Sequence, residues 1–185
     1  MKRLLARGRW VLYFLPRLLM VGVFFVVLVL TLLGNFDALE PYLFPLRAAQ
    51  GTETRLSERL AIGPYPQRAD LLRLKRQGYG TVIVLLDDRL PQERALKLRE
   101  EERAREISLN ISPFPLGYLP VNSAANRAMA ARLANFVAAH PKEKIYIHCY
   151  LGRHRVGFVR DTLIRRGLLT MPQQGNASIL PKRIR

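Results

Sequence analysis

The chain has 185 residues, 49% of them hydrophobic, with 30 basic and 14 acidic side chains, a formal net charge of +16 and a pI of about 11.0. That length suits one ordinary domain with its own core, and the charge points to anionic partners: anionic lipid, a phosphorylated substrate or nucleic acid. The single cysteine excludes an intrachain disulfide and a cysteine-built zinc cage, and the three histidines, His140, His148 and His154, give no strong metal-ligating pattern.

In chain order, the first element is "LLMVGVFFVVLVLTLLGNF", Leu18 to Phe36, which carries no charge. As a helix at ~1.5 Å per residue it spans about 28 Å, close to the hydrocarbon thickness of a bilayer. A core helix is the alternative, but core helices are seldom apolar on every face. Lys2, Arg3, Arg7, Arg9 and Arg17 precede the run, and Asp37 and Glu40 follow it. The positive-inside rule puts the N-terminus in the cytoplasm and the rest of the chain beyond the membrane, in the periplasm for a Gram-negative source. The run exceeds a usual signal-peptide core and no convincing small-residue cleavage site follows, so a retained single-pass anchor is expected.

The expected organisation is a basic cytoplasmic N-terminus (1–17), an anchor (18–36), a Pro- and Gly-containing linker (37–54), a soluble domain (55–169) and a loosely ordered basic tail (170–185). Within the domain, 57–63 reads as a short strand. The apolar spacing of 67–78 and its terminal Gly78 predict a helix. "TVIVLLD" (81–87) is the short β-branched run of a strand buried on both faces. Residues 91–106 begin with Pro91 and are rich in helix formers; 107–112 alternate as a weak strand; 123–140 form an Ala-rich helix; 144–149 form a strand; 155–167 form a helix ending in Gly167. Alternating strands and helices predict an α/β domain with a mainly parallel sheet flanked by helices, plus the N-terminal transmembrane helix. Ligands bind at the carboxyl ends of such strands, which is where Cys149 falls.

A thiol between strand and helix meets the positive end of the helix dipole, and Arg153 and Arg155 add charge that favours the thiolate. Residues Tyr150, Leu151, Gly152, Arg153 and His154 can turn successive amides inward as a nest for a tetrahedral anion. Arg155 can grip two anion oxygens with its planar fork, and His148 can hold the loop from behind. These parts support phosphoryl transfer to sulfur followed by hydrolysis. Left to composition alone, a lone cysteine is more often a buried apolar residue.

"HCYLGRHR", His148 to Arg155, matches H-C-x-x-G-x-x-R and resembles the signature of the cysteine-dependent protein tyrosine and dual-specificity phosphatases. Upstream, "LAIGPYPQRADLLRLKRQGYGTVIVLLDD" looks like the opening strand, helix and strand of the compact dual-specificity group. The resemblance covers roughly residues 57–168 and excludes the anchor. It implies that Cys149 forms a phosphocysteine, that Arg155 and the backbone of Tyr150 to His154 bind phosphate, that His148 tunes the thiolate, and that neither metal nor cofactor is required.

The sequence departs from that family twice. Val156 stands where the family has a Ser or Thr that helps the thiolate leave, which predicts slow breakdown of the intermediate. The family's aspartate general acid lies about thirty residues before the cysteine, but no Asp or Glu occurs between Ser112 and Pro141. His154, or Asp87 or Asp88, could supply the proton. Otherwise the substrate has a good leaving group, or the domain binds phosphate without turnover. The Pro-rich "SPFPLGYLP" (112–120) in place of an acid loop is either ordinary packing or an apolar lip for a lipid chain. "REEERARE" (99–106) reads as a solvated helix face, Asp161 as an ion-pair partner of Arg160 or Arg165, and His140 as a helix-end residue.

After residue 50 the chain holds 24 basic and 12 acidic residues, a net +12 that favours an anionic membrane surface. The basic residues are not interleaved with aromatics, so no nucleic-acid partner is expected. The leading expectation is a membrane-anchored phosphatase of the dual-specificity type, acting on a phosphorylated lipid or on a phosphotyrosine or phosphoserine protein. The alternatives are a catalytically impaired phosphate-binding module, and a rhodanese-like or arsenate-reductase-like enzyme.

Overall fold

A computed structural model describes residues 2–39, 42, 43, 45 and 48–170. The basic tail from 171 onward and part of the expected linker lie outside the described residues. Five strands form one sheet: β1 (Thr54–Arg55), β2 (Leu60–Gly63), β3 (Tyr79–Val84), β4 (Asn110–Pro113) and β5 (Lys144–His148), in the order β1-β2-β5-β3-β4. All neighbours are parallel except the antiparallel edge pair β1–β2. The helices are α1 (Lys2–Gly34), α2 (Phe36–Leu39), α3 (Arg68–Arg76), α4 (Pro91–Glu106), α5 (Ala124–Ala139) and α6 (His154–Arg165).

The two-residue side-chain period of β5 divides the core. Ile145 and Ile147 point into one layer with Leu133 and Val137 of α5 and Val159 and Leu163 of α6. Tyr146 lies in the other layer with Leu71 and Leu74 of α3 and Leu96 of α4. Each buried Leu or Ile contributes about 1.5–3 kcal/mol, an upper estimate because unfolded chains already bury some surface. The register aligns three carboxyl ends: Gly63 pairs with His148, and Val84 pairs with His148 from the other side. The chain therefore leaves β2, β3 and β5 at one edge of the sheet, where a parallel sheet builds its site.

The helices start where capping chemistry directs. The Asp70 carboxylate accepts from the Gln67 amide at 3.1 Å, Pro91 opens α4, and Ser123 Oγ accepts from the Asn126 amide at 3.2 Å. Several expected boundaries shift, among them the start of the 57–63 strand, which begins at Leu60. The 81–87 strand ends at Val84; Leu85 still donates to His148 O of β5, but the Asp87 amide turns away to the Glu93 carboxylate. The 107–112 strand starts at Asn110, after a left-handed turn at Ser108 (φ 53°). The expected linker ends inside β1, a two-residue edge strand with no apolar signal. The 99–106 face is not uniformly solvated, because Glu100 is fully buried.

Phe14–Gly34 is a helix long and apolar enough to cross a membrane, and none of it is buried against the rest of the molecule. That disfavours a core helix; a signal sequence near an N-terminus has the same length and composition. Its far end meets the domain: α1 and α2 contact α4, and the Phe36 ring packs edge-on against Tyr150 with centroids 6.0 Å apart.

Candidate active site

The loop from Cys149 to Arg153 joins β5 to α6, and its carbonyls face outward. Tyr150 O accepts from the Tyr65 amide at 3.2 Å and from Gln50 Nε2 at 3.3 Å. Leu151 O accepts from the Gly51 amide at 2.7 Å. The amides of 151–155 donate to no protein acceptor among the described residues. A loop whose Tyr150 and Leu151 carbonyls are tied to neighbouring segments and whose N–H groups have no protein acceptor among the described residues, opening a twelve-residue helix, can cradle an anion. Gly152 makes the turn possible. Its φ is +66°, and a Cβ there would lie 2.4 Å from Pro64 N and 2.6 Å from Gly63 C. Only glycine meets both demands.

Arg155 is 4% exposed and fixed by Glu93 of α4. Nη1 donates to Glu93 Oε2 at 2.8 Å, to Leu85 O at 3.0 Å and to Leu116 O at 3.3 Å, while Nη2 donates to Glu93 Oε1. Burial works against the charge, but Glu93 outweighs it and holds the Arg155 pKa above its ordinary value. Nε–H and the second Nη2–H have no acceptor among the described residues, so two parallel donors remain for an anion. The Tyr118 ring covers the guanidinium at 5.1 Å. Glu93 was invisible in the sequence as a site residue: nothing local distinguishes it from the other carboxylates of a charged helix.

Cys149 is 3% exposed, belongs to the α5/α6 core layer, and lines a cavity of about 460 Å³ together with Leu151, His154 and Arg155. A negative charge on the Cys149 sulfur would favour the charged form of Arg155. Val156, 1% exposed, packs in the same layer, so its side chain serves the core. His148 turns to the opposite layer. Its Nε2 lies 2.8 Å from Glu100 Oε1, outside hydrogen-bond alignment, and its ring meets Tyr65 edge-on and stacks over Tyr146. The side chain therefore reaches α4, and the contacts it makes are not with the loop amides. Arg153 is exposed at the head of α6; His154 is exposed and reaches the cavity wall.

The opposite wall of the cavity is the 118–121 segment, with Tyr118 47% and Leu119 86% exposed. Asn126, nearly buried in α5, shapes it: Oδ1 accepts from the Gly117 amide at 2.8 Å, and Nδ2 donates to Gly117 O at 2.9 Å and Val121 O at 3.0 Å. Sequence reasoning missed Asn126, an unmarked polar residue in an Ala-rich helix. Among the described residues, no carboxylate lines this cavity. Asp87 is clamped by Arg89 at 2.8 and 2.9 Å, and Asp88 pairs with Lys97 at 2.9 Å. Hydrogen bonding from Arg89 and Lys97 respectively lowers both pKa values from the ordinary 3.8, the direction that disfavours either aspartate as a proton donor. Asp161 pairs with Arg160 at 2.8 Å, and His140 caps α5 through Phe136 O.

No protein-family model matches the chain, and no curated protein sequence matches it. Solved structures do. A DUF442 protein of Shewanella putrefaciens CN-32, a proposed phosphatase, is 14% identical with a TM-score of 0.53, covering 67% of this chain and 78% of that one. The Tk-PTP structure in its active form is 19% identical with a TM-score of 0.50, covering 64% and 76%. The kinase-associated phosphatase with its catalytic cysteine changed to serine is 16% identical with a TM-score of 0.50, covering 63% and 74%. At these identities the likeness is one of fold: the domain has the α/β architecture of the cysteine-dependent phosphatases.

Proposed function

We propose that the chain is a membrane-anchored, cysteine-dependent phosphatase that removes a phosphoryl group from a phospholipid, another membrane phosphate or a phosphotyrosine or phosphoserine protein. The observation that carries this reading is that Cys149, Leu151, His154 and Arg155 line one cavity, with two Arg155 donors and the amides of 151–155 left without a protein acceptor among the described residues. The fold shared with structures described as phosphatases supports the same reading. The Cys149 thiolate attacks phosphorus, an S–P bond forms, and the P–O bond to the leaving oxygen breaks. Water then attacks phosphorus, the S–P bond breaks, and phosphate, a proton and the thiolate are released. Arg155 and the cradle amides hold the equatorial oxygens as charge builds on them; Glu93 orients Arg155. The apolar Phe14–Gly34 helix is the anchor, with the N-terminus cytoplasmic and the domain on the far side, as the basic flank favours.

A second reading is a phosphate-binding module without turnover. It is favoured by the cavity's lack of a carboxylate and by the locked Asp87 and Asp88. Steady-state phosphate release from an aryl phosphate by the full chain in neutral detergent, beside Cys149→Ser, separates the two. Turnover that vanishes in Cys149→Ser supports the enzyme; vanadate binding with no release from the unaltered chain supports the module.

A further inference from the structure

We infer that the preferred substrate is a lipid diphosphate held in the bilayer, whose terminal phosphoryl group is taken by Cys149 and whose leaving group is the lipid monophosphate. This rests on the phosphocysteine chemistry proposed above and names what the site takes.

The leaving group follows from the proton inventory. A phosphomonoester of an alcohol must release an oxygen nearly as basic as hydroxide, and a positioned acid is worth about 10²–10⁴-fold in that step. Among the described residues no carboxylic acid lines this cavity, the nearby aspartates are tied to Arg89 and Lys97, and the exposed His154 imidazole is the wall's remaining candidate acid, which the test below examines. The whole segment from 113 to 140 contains no Asp or Glu. A phosphoanhydride removes the need. Its inner phosphate leaves as a monoester with a second pKa of about 6, which departs at neutral pH without a proton. The balance closes: the thiolate forms the S–P bond, the bridging P–O bond breaks toward the inner phosphate, and one water later yields inorganic phosphate, one proton and the thiolate.

The lipid part follows from the walls and their position. Tyr118, Leu119, Pro120 and Val121 give the cavity an apolar side, and Leu119 stands 86% exposed at its edge. A large apolar side chain held in water beside a nucleophile suits an apolar tail. The end of the apolar span is one contact away. Phe36 packs on Tyr150, and Gln50 and Gly51 bond the loop carbonyls. Leu151 both joins the layer that holds Phe36 and lines the cavity. An anchored α1 therefore brings this cavity to the bilayer surface, and the +12 charge after residue 50 attracts polyanionic headgroups.

The test uses the full chain in neutral-detergent mixed micelles, following phosphate release from four probes: diacylglycerol diphosphate, the matched diacylglycerol monophosphate, inorganic diphosphate and an aryl phosphate. We expect kcat/KM for the lipid diphosphate to exceed that for the monophosphate by about 100-fold or more, with monophosphate accumulating as product. The ratio of lipid to inorganic diphosphate should fall about 10-fold to 100-fold in Leu119→Asp, the worth of one buried leucine. Equal or faster use of the monophosphate, lost in His154→Gln, would overturn the leaving-group argument by identifying His154 as the acid. Equal use of inorganic diphosphate, unmoved by Leu119→Asp, would overturn the lipid. Turnover of the aryl phosphate alone sinks this inference and spares the phosphatase reading; turnover of none of the four sinks both.

Discussion

The two walls of the cavity are built on different physics. The Cys149–Arg155 wall is backbone: a glycine at positive φ, carbonyls tied to Gly51 and Tyr65, and amides at a helix start without a protein acceptor among the described residues. The 118–121 wall is side chains, shaped at a distance by Asn126 and ending in exposed apolar groups. The first kind of wall is written in a local run of residues and resists change. The second depends on how distant segments meet.

The largest expected effect comes where the backbone wall is tied to the rest of the fold. Glu93→Gln leaves Arg155 buried without its counter-charge and should cost about 3–5 kcal/mol in chemical denaturation, with loss of vanadate binding. Next is Gly152→Ala. Backbone strain alone costs about 1–3 kcal/mol, and the contact with Pro64 forces the loop outward, so anion binding should fall more than stability does. The side-chain wall should yield more softly. Asn126→Ala removes three good hydrogen bonds and should cost about 1–3 kcal/mol, raising KM for lipid probes more than for an aryl phosphate. If Asn126→Ala instead lowers kcat equally for both, the two walls are not separable.

The smallest effect is on acidification. The Arg89 and Lys97 partners place the folded pKa values of Asp87 and Asp88 below their common ordinary value of 3.8. Their stabilisation is therefore complete above the unfolded pKa and is lost as pH falls through the lower folded values. Thermal melts should show a midpoint that declines below about pH 4, and less steeply in Asp87→Asn; an unchanged slope would mean that the Arg89 clamp contributes nothing.

The same contrast governs what could be read from the sequence. Helix α4 and strand β5 fall within a residue of their expected spans, because helix-forming and β-branched runs are local signals. The Cys149 loop was legible because a thiol, a glycine and an arginine at fixed spacing sit between a strand and a helix. Glu93 and Glu100 were not, because burial of a carboxylate on a sixteen-residue charged helix depends on which face meets β5. Asn126 was hidden for the same reason: its partners, Gly117 and Val121, reach it only when the preceding segment folds back. Strand β1 is too short to carry a period, and its pairing with β2 exists only in three dimensions.

One measurement bears most directly on the proposal that Cys149 is a covalent nucleophile whose intermediate breaks down slowly because Val156, packed in the core, offers no hydroxyl to the leaving thiolate. Mix the full chain in detergent with an activated aryl phosphate and follow phenol release at short times. The account predicts a burst equal to the protein present, then slow turnover, with neither in Cys149→Ser. A linear release with no burst, retained in Cys149→Ser, would contradict it.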